Sequence, residues 1–200
     1  MRALINACSR GIVDAEVRLV LSNETHAEGL AHARAAGIPT SVVSHRDFAD
    51  RAALDDGLHR ALESADVDFV CLAGFMRLLT PNLIDKWRDR MINIHPSLLP
   101  AFPGLHTHRR VLAAGVKLSG CTVHFVRVEA DTGPIIAQAA VPVLGDDDEV
   151  SLAARVLLAE HRLYPLVLSL IARGRVHVEG ERAIVEASQP GRMALLNPPD

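Results

Sequence analysis

Little in this 200-residue sequence points to covalent or ionic scaffolding. Its three cysteines, Cys8, Cys71 and Cys121, are scattered and odd in number, with no C-x-x-C spacing. That excludes a disulfide framework and leaves buried, reduced thiols of the kind usual in reducing compartments. Lysine and arginine number 21 against 24 acidic residues, for a net charge of −3. No basic stripe marks a nucleic-acid surface, so no nucleic-acid partner is expected. An anionic small molecule would be held by a few local donors, not by a global field. The longest apolar runs, such as 67–76, are far too short to span a bilayer. The N-terminus lacks the basic start, apolar middle and small-residue cleavage site of a signal peptide. A cytoplasmic chain without membrane contact is the expectation. Also absent are the G-x-S-x-G elbow, the Walker loop and G-x-G-x-x-G, as are repeats, heptads and low-complexity segments.

What is present is a core. Hydrophobic residues make up 49% of the chain, enough for one domain or for two halves sharing a sheet. Patterning predicts alternating elements. Helix over 2–8 is followed by strand over 15–21, helix over 25–36 with Thr25 as cap, a short strand over 40–43 and a long helix over 47–64. The run VDFVCL (67–72) is continuously apolar, as for a strand covered on both faces. Helix over 81–90 leads to the strand MINIH (91–95). A Pro- and Gly-containing loop (97–106) precedes a short helix over 108–114. Two β-rich runs, 119–128 and 134–143, are joined by 129–133. A long helix over 149–173 and a small hairpin around Glu179-Gly-Glu181 follow, and 188–200 reads as a loose tail. The alternation predicts an α/β fold with an open, mostly parallel twisted sheet and helices on both faces. Ligands of such sheets sit at the carboxyl ends of strands. Two such ends stand out, 73–79 after VDFVCL and 95–108 after MINIH.

Asn93 and His95 are two apart on a strand and so share a face. An amide and an imidazole converging at a strand end can hold a tetrahedral oxyanion; they can equally be a solvated polar strand end. Asp131 sits in a turn, where a carboxylate often serves turn chemistry. If it reached His95 it would support a positive imidazole. His106 and His108 form an H-x-H pair that invites zinc, but no third Cys or His stands at metal spacing, and no metal is expected. Arg77 lies at a strand's carboxyl edge, placed either to meet an anion or to extend from the surface into water. The acidic run 146–149 suits a helix start.

Several segments together resemble the phosphoribosylglycinamide formyltransferase family. They are NIHPSLLP (93–100) running into AFPGLHTH (101–108), AGFMRLL (73–79), SGCTVHF (119–125), DTGPII (131–136) and EHRLYP (160–165), in order and in register to about residue 185. HPSLLP alone is shared with methionyl-tRNA formyltransferase and formyltetrahydrofolate deformylase, but the PGLHTH continuation is characteristic of the glycinamide enzymes. The resemblance implies a formyltransferase-like Rossmann-type fold. It implies formyl transfer from 10-formyltetrahydrofolate, as co-substrate and without metal, to glycinamide ribonucleotide, by a monomer or homodimer. Asn93, His95 and Asp131 match the catalytic trio. Arg51, Met76, Arg77, Leu78 and Leu79 match folate-contacting positions, and Arg127, Val128, Glu129 and Ala130 match a stretch that wraps the pterin with backbone groups. Glu160 matches the carboxylate that holds the glycinamide substrate, with Gly104, His106 and His108 on the substrate side. Deformylation, or formylfolate binding without catalysis, is the alternative.

The resemblance departs at the start. The family opens with a buried strand and a glycine- and serine-rich loop that binds phosphate at a helix N-terminus. Met1 aligns just after that loop. The expectation is a single domain of 1–200, with a shortened nucleotide-side half (1–85), a folate and catalytic half (86–187) and the tail. It is further expected that the first strand is missing, that two strand edges lie open and that phosphoribosyl binding is poor.

Overall fold

The computed structural model describes residues 1–186 and Asn197. In chain order the elements are α1 (Arg2–Ser9), β1 (Val20–Ser22), α2 (Glu28–Ala35), β2 (Thr40–Val42), a 3-10 turn (His45–Asp47), α3 (Arg51–Ser64), β3 (Val70–Leu72) and α4 (Pro81–Lys86). Then come β4 (Met91–His95), α5 (Thr107–Ala114), β5 (Leu118–Phe125), β6 (Ile135–Pro142), α6 (Glu149–Ala172), β7 (Val176–Glu179) and β8 (Arg182–Val185). The alternation of strand and helix is as the pattern requires, and the fold is α/β.

Helix starts follow side-chain chemistry. Asp50 caps α3 by accepting from the Ala53 N–H at 2.8 Å. Thr80 caps α4, with Pro81 in the first turn, where its missing N–H does no harm. Asp148 and Ser151 form a reciprocal capping box at α6. The expected Thr25 cap is not used: α2 begins at Glu28, behind Ala27.

The expected single, mostly parallel sheet holds only in part. β1 and β2 pair in parallel as a separate ribbon. The main sheet runs β3-β4-β5-β6, and β7-β8 is a hairpin. Within the main sheet only β3 and β4 are parallel; β4-β5 and β5-β6 are antiparallel. The reason is in the connection: the short link from β5 to β6 cannot hold a crossover helix, so the chain must return antiparallel. Among the described residues β1 and β3 each keep one edge without a strand partner. Both are shorter than their apolar runs, and β3 is half-buried, not enclosed on both faces.

β4 divides two cores. Met91 belongs to a cluster with Leu54, Leu58, Leu83 and Trp87 from α3 and α4. Ile92, on the other face, joins Val123, Leu152, Val156 and Val167, where α6 covers β5 and α1 packs alongside. Helices therefore flank the sheet on both faces. The Tyr164 hydroxyl of α6 lies 2.8 Å from the Leu72 carbonyl and 3.1 Å from that of Ile92, tying β3 and β4 to the helix. The expected tail falls outside the described residues except for Asn197, whose amide donates to the carbonyls of Lys117 and Val143.

Candidate active site

The carboxyl end of β4 carries Asn93 and His95 on one face, as period two demands. His95 is buried. Its Nε2 lies 3.0 Å from the Phe102 carbonyl and its Nδ1 3.3 Å from Asp131 Oδ2. Both ring nitrogens therefore face acceptors, and an imidazolium satisfies both. Asp131 is brought here from the β5–β6 connection. Its Oδ2 also accepts the Gly104 N–H at 2.8 Å. Its backbone is left-handed, with φ of 59°, a conformation that a non-glycine residue keeps only when its surroundings enforce it.

A fourth member was not singled out from the sequence. His124 of β5 is paired with Asn93 in the ladder. Its Nδ1 lies 2.9 Å from the Phe125 carbonyl, so Nδ1 carries the proton. Nε2 is then the acceptor for the Asn93 amide at 3.4 Å, and lies 3.8 Å from Asp131 Oδ1. Burial holds this imidazole's pKa below its ordinary value, in keeping with a neutral ring that orients Asn93. The available signal was alternation: in TVHF, Thr122 and His124 share a face of β5 and stand opposite His95 and Asn93.

Thr122 fixes the loop after β4. Its hydroxyl donates to Ser97 O at 2.7 Å and accepts from Leu99 N at 3.0 Å and Gln138 Nε2 at 2.9 Å. Gln138 also donates to Leu99 O at 2.8 Å. Gly120 permits this closeness: a Cβ there would lie 2.0 Å from the Ala139 carbonyl oxygen. The loop thus delivers the Phe102 carbonyl to His95 and the Gly104 amide to Asp131. Gly104, expected on the substrate side, has its N–H engaged by the Asp131 carboxylate. His106 is exposed, with φ of 55°, at the start of α5. His108 is half-buried, its Nδ1 has no partner among the described residues, and burial lowers its pKa. Among those residues no group of three or more His, Cys, Asp or Glu is arranged to hold a metal ion, and no helix is long and apolar enough to cross a membrane.

Apolar side chains stand in water on the segments that follow β3, β4 and β5. Met76 is 80% exposed, Leu105 66%, Leu78 59% and Val128 51%. Arg77 is exposed beside them, while Leu79 packs into the α3–α4 core. The segment is anchored by buried Asp55 of α3, which accepts the Thr80 N–H at 2.6 Å. Arg51 stands one turn earlier on that face of α3, exposed. Glu129 and Ala130 are exposed, whereas the Arg127 side chain is engaged with Asp89 and Glu181. Glu160, one turn before Tyr164 on α6, is half-buried, and burial pushes its carboxyl up to about 7. No hydrogen bond or ion pair among the described residues joins Arg51, 76–79 or Glu160 to the Asn93–His95–Asp131 centre.

Comparison with known proteins shows the family of the chain. The family model described as "Formyl transferase" matches residues 1–168. The phosphoribosylglycinamide formyltransferase of Escherichia coli is 43% identical over 189 residues, covering 94% of this chain and 89% of the relative. The trifunctional purine biosynthetic protein adenosine-3 of Drosophila melanogaster is 50% identical over 183 residues; that match covers 90% of this chain but only 14% of the relative. The structure of glycinamide ribonucleotide transformylase 1 from Symbiobacterium toebii superposes with a TM-score of 0.90 at 44% identity, covering 92% of this chain and 87% of the other. A formyltetrahydrofolate deformylase from Pseudomonas syringae is also similar, with a TM-score of 0.84, but at 28% identity and with 60% of its own chain covered. The chain belongs to the formyl transferase family, among its phosphoribosylglycinamide formyltransferases.

Proposed function

We propose that the chain transfers the formyl group of 10-formyltetrahydrofolate to the amine of glycinamide ribonucleotide in de novo purine synthesis. The observation that carries the reading is the convergence of Asn93, His95 and Asp131 at the end of β4, beside apolar side chains that stand open to a ligand. The amine attacks the formyl carbon and a tetrahedral oxyanion develops. Asn93 has one amide N–H aimed at His124 and a second free to donate to that oxyanion. His95 supplies its positive ring. Its contact to Asp131 is the longer of its two, so Nδ1–H is the proton placed to shift when the ligand arrives. Asp131 then relays a proton from the attacking amine toward the leaving folate nitrogen.

Met76, Leu78 and Val128 close on the folate, with the backbone of 127–130 along the pterin and Arg51 and Arg77 near its anionic tail. Glu160 holds the amine or ribose hydroxyls of the nucleotide, with His106 and His108 beside it. The chain works as one domain whose 86–187 half contains the chemistry.

The test is formyl transfer by the purified chain, with formate followed in parallel. Nucleotide-dependent production of tetrahydrofolate is expected. Asn93→Ala and His95→Ala should each lower kcat by ~10²–10³, the usual effect of removing one oxyanion donor. Formate release without nucleotide would favour deformylation. Near-normal turnover in either variant would remove that residue from the scheme.

A further inference from the structure

The connection from β5 to β6 is held firmly at one end. Gly133 lies against the Phe125 carbonyl, where a Cβ would be 1.8 Å from the oxygen, and Asp131 is bound to the Gly104 amide. Between these points and β5 the residues Val128, Glu129 and Ala130 are exposed. Thr132 Oγ1 donates to Glu129 O at 2.9 Å, which shapes the turn without fixing it to the rest of the molecule.

At the near end the Val126 N–H donates to the Met91 carbonyl at 2.9 Å, and beyond that bond one side chain ties the loop down. Arg127 is only 10% exposed and uses all three guanidinium nitrogens. Nε donates to Glu181 at 2.9 Å, Nη2 to Asp89 at 2.8 Å and Nη1 to the Val126 carbonyl at 3.1 Å. Glu181 shares its other oxygen with Arg88 at 2.9 Å. Three distant stretches of chain meet here: the turn before β4, the loop after β5 and the turn between β7 and β8.

The hairpin turn is a fixed post. Val176, Val178, Ala183 and Val185 pack against the main core, and Glu186 N donates to Arg175 O at the hairpin's base. A planar guanidinium held between two carboxylates is a rigid junction, which a lysine could not reproduce.

We propose that Glu181 and Asp89, acting through Arg127, are positioning residues that hold the 126–131 loop in its ligand-ready shape. This rests on the reading of that loop as a wall of the folate pocket that also carries Asp131. The β7–β8 hairpin, remote from the reacting atoms, thereby sets the affinity for the formyl donor.

The test uses the full chain in two measurements. In the first, hydrogen exchange of the ligand-free protein is followed at 126–132. Glu181→Gln should speed exchange there about three- to fivefold, as for loss of one partly exposed pair. Arg127→Ala should speed it about tenfold or more, with β4 and α6 unchanged, and Arg127→Lys should fall between. In the second, the KM for 10-formyltetrahydrofolate should rise in the same order while that for the nucleotide stays constant. In the Arg127→Ala background, Glu181→Gln should add nothing further to either readout. A uniform loss of stability with unchanged loop exchange and folate KM would overturn the proposal. If the parent chain transfers no formyl group, the functional reading fails, while the exchange measurement still decides the strut.

Discussion

Two regions, the sheet around Asn93 and His95 and the loops after β3, β4 and β5, are built in opposite ways. On the sheet side, Asn93, His95, Thr122 and His124 each have a side-chain polar atom held by a partner within the fold. On the loop side, Met76, Leu78, Leu105 and Val128 spread apolar surface into water. The first region holds charge and protons in place before any ligand arrives, which is what electrostatic stabilisation of an oxyanion requires. The second leaves its burial undone, so under the proposed function covering it becomes binding energy for the co-substrate. On that reading the chemistry is preorganised and the pocket wall is completed by its occupant.

The largest test of that contrast is Thr122→Val. The change keeps the volume but removes an acceptor from Leu99 N–H and Gln138, and a donor from Ser97 O, at a site with no exposed surface. Buried groups left unpaired in this way cost about 1–3 kcal/mol. The loop that delivers the Phe102 carbonyl and the Gly104 amide loses its tie to β5. Denaturant unfolding should show the loss, and kcat should fall with it. Unchanged stability would mean that water replaces these bonds and that the frame is less dry than it looks.

The contrast also separates what sequence can and cannot show. The shared face of Asn93 and His95 was legible because strand period is local. The long helix 149–172 and the closing hairpin were legible for the same reason. The meeting of Asp131 with His95 was not, because it depends on a left-handed turn residue far along the chain, and spacing alone also allowed a plain turn. His124 alternates with apolar neighbours in TVHF, but its place opposite Asn93 depends on the register between β4 and β5, which neither strand's own residues show. The strands expected over 15–21 and 67–72 shrank to Val20–Ser22 and Val70–Leu72. A strand extends only as far as a neighbour's ladder, and the neighbour is not written in the strand's own residues.

On the wall side the expectation is reversed. Met76→Ala and Leu78→Ala remove side chains that the folded chain barely buries, so stability should change by less than about 0.5 kcal/mol. If the folate covers them, each should raise its KM about fivefold, equivalent to roughly 1 kcal/mol of lost apolar burial. Thermal melts beside steady-state kinetics decide it. A melting loss as large as that of Thr122→Val would show that the wall is part of the folded core, and the contrast would break.

Glu160 belongs to neither pattern and so tests the boundary between them. It is half-buried where most of the frame is buried, among the described residues it accepts no hydrogen bond, and burial pushes its carboxyl from 4.5 up to about 7. Between those values the folded chain keeps a proton that the unfolded chain has released. Stability from this group is therefore complete below about pH 4.5 and declines as pH rises toward 7. Glu160→Gln carries no such proton, so the stability difference between variant and parent should grow in the variant's favour from pH 5 to 7 and then level off. A substrate ammonium or hydroxyl beside the carboxylate would oppose that decline by stabilising the ionised form. Melting curves across this range, with and without nucleotide, would show whether Glu160 is a binding group awaiting its partner. Parallel curves for the two proteins would instead place its carboxyl in water, with no part in holding the amine.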